Sequence, residues 1–106
     1  MKKKNIIKSK LEYTKIIKNC KYKKNNYFVI YYCKTTKNNR YGISVPKKIG
    51  KAYLRNKIKR RLKNIIDHNE FNIQKPYDYV IIIRKRLIEL NYQEMEKSFM
   101  SLITKR

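Results

Sequence analysis

Apolar residues follow a strand-like pattern in several parts of this chain. Residues 27–33 are aromatic and β-branched, which predicts a strand. Residues 40–45 alternate in part between apolar and polar side chains, and Pro46 ends that segment. With a shorter strand expected at 20–24, these segments predict an antiparallel meander. The later run 77–83 ends in four consecutive Val and Ile residues, which predicts a strand that is buried on both faces.

Three other segments have the period of a helix. A helix is expected at 10–18, because Ser9 and Glu12 have the spacing of a capping box. Residues from about 50 to 67 carry one apolar stripe, formed by Leu54, Ile58, Leu62 and Ile65. The capping-box spacing returns at Asn91 and Glu94 and predicts a last helix, with one apolar side formed by Tyr92, Met95, Phe99 and Leu102.

The predicted elements follow the order α-β-β-β-α-β-α. In a chain of 106 residues this order indicates one α+β domain, an α/β sandwich in which helices pack on a mixed four-stranded sheet. Residues 1–5 are expected to form a mobile basic N-terminus, and residues 6–106 the single domain.

The charge of the chain is strongly unbalanced. Lys and Arg number 29 against 7 Asp and Glu, so the formal net charge is +22. Such self-repulsion calls for a polyanionic partner, which is RNA, DNA or an anionic membrane surface. No segment approaches the ~20 apolar residues that a membrane span needs. No long apolar region follows the basic start, so we expect no secretory signal and a cytoplasmic protein.

The basic residues concentrate in one segment. Nine of the eighteen residues from 46 to 63 are Lys or Arg, and no Asp or Glu lies between Arg40 and Ile66. On a helical wheel the cations take both flanks of the apolar stripe: Arg55, Lys59 and Lys63 along one border, and Lys57, Arg60 and Arg61 on the far side. A merely solvated face usually mixes both signs of charge, so a nearly acid-free helix indicates a phosphate-binding surface.

The loop before this helix is also basic. Lys47, Lys48 and Lys51 crowd the expected N-terminal end of the helix, where cations are locally unfavourable because of the helix dipole. Gly50 has two compatible interpretations. It permits a tight turn from strand to helix, or it lets backbone N–H groups approach a phosphate.

Catalytic chemistry is not indicated for the chain itself. Its seven acids form no cluster with metal-ligand spacing, and we interpret Glu12 and Glu94 as helix caps. The single histidine, His68, falls near a helix end. Cys20 and Cys33 form no close pair, so we expect reduced thiols, no disulfide framework and no zinc site. The predicted sets of catalytic and metal-ligating residues are therefore empty.

A longer motif resembles a known family. The run Gly42-Ile43-Ser44-Val45, then Lys47-Lys48-Ile49-Gly50, Ala52 and Arg55-Asn56-Lys57-Ile58-Lys59-Arg60, is similar to the central motif of the protein subunit of bacterial ribonuclease P. The order of the flanking elements also resembles that family over nearly the whole chain. The sequence departs from the family pattern at Ile6, Ile17 and Lys57, where Arg, an aromatic residue and Arg are usual.

The resemblance implies a fold and a function. The fold would be that of the second domain of a small-subunit ribosomal protein, with a left-handed β-α-β crossover against the usual rule. The protein would assist a catalytic RNA in Mg²⁺-dependent removal of the 5′ leader from precursor tRNA. The catalytic groups and the Mg²⁺ would belong mainly to the RNA, with no cofactor held by the protein alone and no DNA or membrane partner.

The resemblance also implies two sets of binding residues. The catalytic RNA would be contacted by Lys47, Lys48, Lys51, Arg55, Asn56, Lys57, Arg60 and Arg61. A cleft for the single-stranded leader would be lined by Tyr13, Ile17 and Tyr31, with Lys59 and Lys63 beside Arg55 at its rim. The rings of Tyr13 and Tyr31 could stack on bases, or they could simply pack between helix and sheet.

Two other functions fit parts of the sequence. The charge alone is compatible with a non-enzymatic RNA-binding protein of the ribosome or of ribosome assembly. It is also compatible with a membrane-active or DNA-condensing protein, against which the apolar strand 80–83 and the capped helices argue.

Overall fold

The computed structural model describes residues 5–7, 9–36 and 38–104. The predicted basic tail, apart from Asn5, therefore lies outside the described residues. The element order α-β-β-β-α-β-α is confirmed: α1 (Lys10–Asn19), β1 (Lys21–Lys24), β2 (Phe28–Lys34), β3 (Arg40–Ser44), α2 (Ala52–His68), β4 (Tyr77–Ile83) and α3 (Tyr92–Ile103). No helix in the described part of the chain is long and apolar enough to cross a membrane.

The four strands form one mixed sheet in the order β1-β2-β4-β3. β2 pairs antiparallel with both β1 and β4, and β3 pairs parallel with β4. The predicted antiparallel meander is therefore wrong, because β4 lies between β2 and β3. The strand with the longest apolar run takes a central place, where helices cover both of its faces.

Helices pack on both faces of the sheet. One face carries the main core, in which α2 and α3 pack on Phe28, Ile30 and Ile81. The other face carries α1 over a small cluster of Ile7, Ile16 and Val80. The neighbours Val80 and Ile81 of β4 point to opposite faces and are both fully buried, which confirms the predicted burial of this strand on two sides.

The apolar stripe of α2 anchors the helix to the main core. Ile58, Leu62 and Ile65 are buried as predicted, Ile66 joins them, and Leu54 is half-buried. Gly50 precedes the helix with a φ of +153°, and a Cβ there would lie 2.9 Å from the Leu54 side chain. The tight-turn interpretation of this glycine is thus confirmed.

The helix caps match the prediction at one site and differ at another. At α3 the Asn91 side chain accepts a hydrogen bond from the Glu94 N–H at 2.8 Å, and the Glu94 side chain accepts one from the Asn91 N–H at 3.0 Å. At α1 Ser9 accepts from the Leu11 N–H, but Glu12 pairs with Arg40. The interpretation of Glu12 as a cap is wrong, because a guanidinium from β3 lies within its reach.

The two cysteines form a disulfide bond, which contradicts the expectation of separate reduced thiols. In β1 and β2, Lys21 lies opposite Tyr32. One step further along the same ladder, Cys20 lies opposite Cys33, with Cα atoms 5.3 Å apart. The pair is distant in sequence but adjacent across the hairpin, so spacing along the chain does not reveal it.

Candidate nucleic-acid interface

The cations of α2 lie beside its buried stripe and face outward. Lys57 and Arg60 are exposed. Four other cations are half-buried: Arg55, Lys59 and Lys63 along the predicted border, and Arg61 from the predicted far side. The Arg55 Nε atom is buried and has no hydrogen-bond partner among the described residues. The helix therefore presents positive charge on both sides of the seam that attaches it to the sheet.

Four carboxylates form ion pairs with cations that lie outside α2. Arg40 binds Asp78 through two hydrogen bonds of 3.0 and 2.9 Å and contacts Glu12 at 3.3 Å. The other ion pairs within 5–7, 9–36 and 38–104 join Lys75 to Glu70 and Arg86 to Glu89, so none of them includes a cation of α2. The field around α2 therefore remains positive.

The loop before α2 extends the basic surface. A single 3-10 turn, Lys47–Ile49, places Lys47 and Lys48 in solvent while Ile49 is buried in the core. Lys51 is the N-cap of α2 and makes no side-chain capping bond. The first turn of α2 contains no acidic residue, so its N–H groups and dipole add to the attraction for an anion. The exposed Asn56 lies one turn further along the helix.

A cavity of about 240 Å³ joins α1, the edge of the sheet and α2. Tyr13, Lys59 and Lys63 line it, with apolar walls that include Ile6 and Ile43. Three residues of the predicted leader cleft thus come together. Ile6 reaches this place because it bridges to Tyr41 of β3, so the segment before α1 continues the edge of the sheet.

Tyr13 is fixed in the wall of this cavity. Its hydroxyl donates a hydrogen bond of 3.1 Å to the Ile7 carbonyl, and its ring lies on Gly42. Burial raises the pKa of the Tyr13 phenol above its ordinary value. The ring therefore packs between helix and sheet and at the same time lines a cavity beside two lysines.

Tyr31 and Ile17 do not reach that cavity. Tyr31 lies on the same face of the sheet as α1, packs on the cluster around Val80 and has its ring centre 5.5 Å from that of Tyr22. Ile17 lies on α1 with 39% of its side chain exposed. The structure separates these two predicted cleft residues from Lys59 and Lys63, although Tyr13 and Tyr31 share one apolar cluster.

A second groove contains the predicted RNA-binding residue Lys48 together with four cations that were not predicted from the sequence. It has a volume of about 620 Å³ and runs over Val29 and Ile82, on the sheet face that also carries α1. Its cations are Lys24, Lys48, Arg84, Lys85 and Arg86. Arg84 is fixed there by a 2.9 Å hydrogen bond to the Asn25 carbonyl. The run of three cations directly after β4 was the available sequence signal.

The acidic side chains do not assemble a metal site in the described part of the chain. No group of three His, Cys, Asp or Glu residues there has the geometry to hold a metal ion. Glu94 caps α3, Glu96 accepts a hydrogen bond from Asn69, and His68 is exposed at the end of α2. The carboxylates Glu12 and Asp78 share the Arg40 guanidinium and offer no open ligand pair.

Comparison with known proteins identifies the family. The family model described as Ribonuclease P matches residues 1–106. The chain belongs to the ribonuclease P protein family. The ribonuclease P protein component of Mesoplasma florum is 41% identical over 99% of this chain and 97% of its own length. That of Streptococcus agalactiae is 41% identical over 97% and 94%. The function of the chain is that of a ribonuclease P protein subunit, in the maturation of the tRNA 5′ end.

Solved structures of ribonuclease P proteins share this fold. The Staphylococcus aureus protein superposes with a TM-score of 0.86 at 30% identity, covering 92% of this chain and 91% of its own. The Thermotoga maritima protein gives 0.83 at 34% identity, covering 87% and 88%. The four-stranded mixed sheet and the three helices are therefore the architecture of the ribonuclease P protein.

Proposed function

We propose that this chain binds the catalytic RNA of ribonuclease P through α2 and the loop before it. The observation that carries the proposal is the cationic surface of residues 47–63, a segment without any acid, whose α2 cations appear in none of the ion pairs within the described residues. Like charges at i and i+4, such as Arg55 and Lys59, repel each other by ~0.2–0.5 kcal/mol per pair. Phosphates of a folded RNA would relieve that repulsion.

The 5′ leader of precursor tRNA is the second partner in this proposal. A single strand needs aromatic or apolar surface for its bases and cations for its backbone, and stacking is worth ~1–3 kcal/mol per base. Tyr13 with Lys59 and Lys63 supplies both at the edge of the sheet. On the sheet face beside α1, Tyr31 supplies an aromatic surface and the groove at Arg84 supplies cations. The leader would pass over these surfaces in the cytoplasm of a bacterial cell.

The cleavage chemistry in this proposal belongs to the RNA partner and its Mg²⁺ ions. Glu12 and Asp78 pair with Arg40, Glu94 caps α3, and no group of three His, Cys, Asp or Glu among the described residues could hold a metal ion. The residues present therefore do not fit a protein-held Mg²⁺ site. The protein acts by neutralising phosphates that otherwise repel one another, which lowers the concentration of Mg²⁺ that the RNA needs.

The test is a Mg²⁺ titration of leader removal by the cognate catalytic RNA, with and without the protein. The protein should shift the titration to lower Mg²⁺. The double substitution Lys57→Glu with Arg60→Glu, at two exposed positions of α2, should abolish the shift. Lys97→Glu, at an exposed position of α3, should preserve it. An unchanged Mg²⁺ requirement, together with co-purification on ribosomal subunits, would favour a role in ribosome assembly instead.

A further inference from the structure

The disulfide between Cys20 and Cys33 joins two elements that line the α1 face of the sheet. Cys20 is the C-cap of α1 and donates its N–H to the Ile16 carbonyl at 3.0 Å. Cys33 lies in β2, two residues beyond Tyr31 and on the same face. The Cα atoms are 5.3 Å apart, within the range that disulfides require. These are the two cysteines of the chain.

Noncovalent contacts hold α1 to the sheet over a small area. The cluster beneath it has three buried members, Ile7, Ile16 and Val80, and Cys20 and Tyr31 pack against them. The Arg40–Glu12 pair fixes the beginning of the helix. At its other end the disulfide ties the helix directly to β2. The cysteine pair therefore controls the freedom of the end of α1 that lies beside Tyr31.

We propose that Cys20 and Cys33 form a reversible redox site that sets the position of α1 and thereby the affinity for single-stranded RNA. The inference rests on the proposed binding of the leader at α1 and the sheet. Both cysteines are half-buried, so a small oxidant or reductant can reach them.

The co-reactant is a small-molecule disulfide, of which oxidised glutathione is the probe. One cysteine thiolate attacks a sulfur of the probe, forms a mixed disulfide and releases one glutathione thiolate. The second cysteine thiolate attacks the protein-linked sulfur, forms the Cys20–Cys33 bond and releases the second glutathione. Two electrons pass from the protein to the probe, and the two thiol protons end on the two glutathione molecules. Excess dithiol reduces the Cys20–Cys33 bond to two thiols by the same kind of exchange, and the dithiol is itself oxidised to its disulfide.

The two redox states should differ in leader binding and not in binding to the catalytic RNA. With the disulfide formed, α1 is held beside Tyr31. The leader-binding surface is then already ordered, so binding carries no entropic cost of ordering α1. After reduction the end of α1 can move, so leader affinity should fall by about fivefold or more, the lower end of typical coupling between sites. The α2 surface carries neither cysteine and packs on the opposite face of the sheet.

The first measurement counts the free thiols of the full chain by alkylation and needs no variant. Fully reduced protein should take up two alkylating groups. After equilibration with oxidised glutathione it should take up none, remain monomeric and carry no glutathione. Stable glutathione adducts, disulfide-linked dimers or two persistently free thiols would each overturn the proposal.

The second measurement compares leader affinity of the assembled holoenzyme with the protein oxidised and reduced. The double substitution Cys20→Ser with Cys33→Ser should show the reduced-state affinity under both conditions, which controls for effects of the oxidant. Equal affinity of oxidised and reduced wild-type protein would overturn the coupling. Binding of the reduced protein to the catalytic RNA is followed in parallel. Absence of that binding in both redox states counts against the proposed function. Unchanged binding to the catalytic RNA together with equal leader affinity in the two states counts against this inference alone.

Discussion

The ring of Tyr13 lies directly over the Cα atom of Gly42. A Cβ atom built on Gly42 would lie 2.3 Å from Cε1 of that ring, closer than real Cβ contacts occur. The strand position beneath α1 therefore has room for hydrogen and for no side chain. Through this contact the helix approaches β3 closely enough for Tyr13 to line a cavity with Lys59 and Lys63 from α2.

Gly42→Ala should displace the Tyr13 ring and destabilise the protein. Overpacking of this kind typically costs ~1–3 kcal/mol, and the displaced ring should also weaken leader binding. Denaturant unfolding and leader affinity are the measurements. In a Tyr13→Ala background the added methyl group meets no ring, so Gly42→Ala should cost little there or even stabilise. Equal cost in both backgrounds would show that the two residues are not coupled.

Ile58→Asp should unfold the domain, because it places an unpaired carboxylate in the main core, where Ile58 is 6% exposed. The cost is comparable to the ~5–15 kcal/mol that stabilises a whole domain. Lys57→Asp at the neighbouring exposed position is the matched control. It should keep the fold and lose affinity for RNA. Circular dichroism of the two variants tests whether Ile58 lies on the buried face of α2 and Lys57 on the exposed face. A folded Ile58→Asp protein would contradict this assignment.

The helices could be predicted from the sequence because the patterns that indicate a helix are formed by residues close together in the chain. The stripe through Ile58 and Leu62 has the period of a helix and needs a single partner surface, so the buried side of α2 and its cationic flanks could both be predicted. The capping box at Asn91 is likewise formed by neighbours in sequence. The family resemblance added functional roles that periodicity does not carry.

The pairing of distant segments could not be predicted in the same way. No local pattern shows that β4 inserts between β2 and β3, since strand order depends on contacts far apart in sequence. The Arg40–Asp78 pair follows from that strand order. The Cys20–Cys33 bond follows from the register of β1 against β2. Tyr31 lies away from the cavity for the same reason, because β4 separates β2 from β3, whose residue Ile43 lines the cavity.

Arg40→Ala should destabilise the protein, because it leaves Asp78, whose side chain is 13% exposed, without the fork that binds both of its oxygens. Hydrogen bonds to charged groups are worth ~1.5–3 kcal/mol. Arg40→Lys keeps the charge but loses the bidentate geometry, so its stability should be intermediate. The added substitution Asp78→Ala should recover part of the loss. Unfolding free energies of the three variants test this, and full additivity of the two alanine substitutions would contradict a coupled pair.

Stability should fall at alkaline pH because of buried tyrosines. Burial raises the pKa of Tyr41 and of Tyr79, whose rings stack with centres 5.5 Å apart. The unfolded chain loses these phenol protons near pH ~10 while the folded protein retains them. Stability is therefore full below about pH 10 and declines as the pH rises further. Urea unfolding followed across this range measures the decline.

Tyr79→Phe should make that decline shallower, since it removes one phenol whose proton the fold retains. It also removes the 2.7 Å hydrogen bond to the Gln74 carbonyl, so it should lower stability at neutral pH. Tyr53→Phe, at a ring that is 72% exposed, is the control and should leave the pH dependence as in the parent. An unchanged slope for Tyr79→Phe would contradict the assignment.

The most direct test of the account measures affinity for the catalytic RNA against salt concentration for two matched lysines. Lys57 and Lys97 are both exposed on helices, one on α2 and the other on α3. Lys57→Ala should weaken binding and reduce the slope of log affinity against log salt by ~0.7–0.9, the value for one lost phosphate contact. Lys97→Ala should leave the affinity and the slope unchanged. Equal effects of the two substitutions, or none from Lys57→Ala, would contradict the claim that α2 presents the RNA-binding surface.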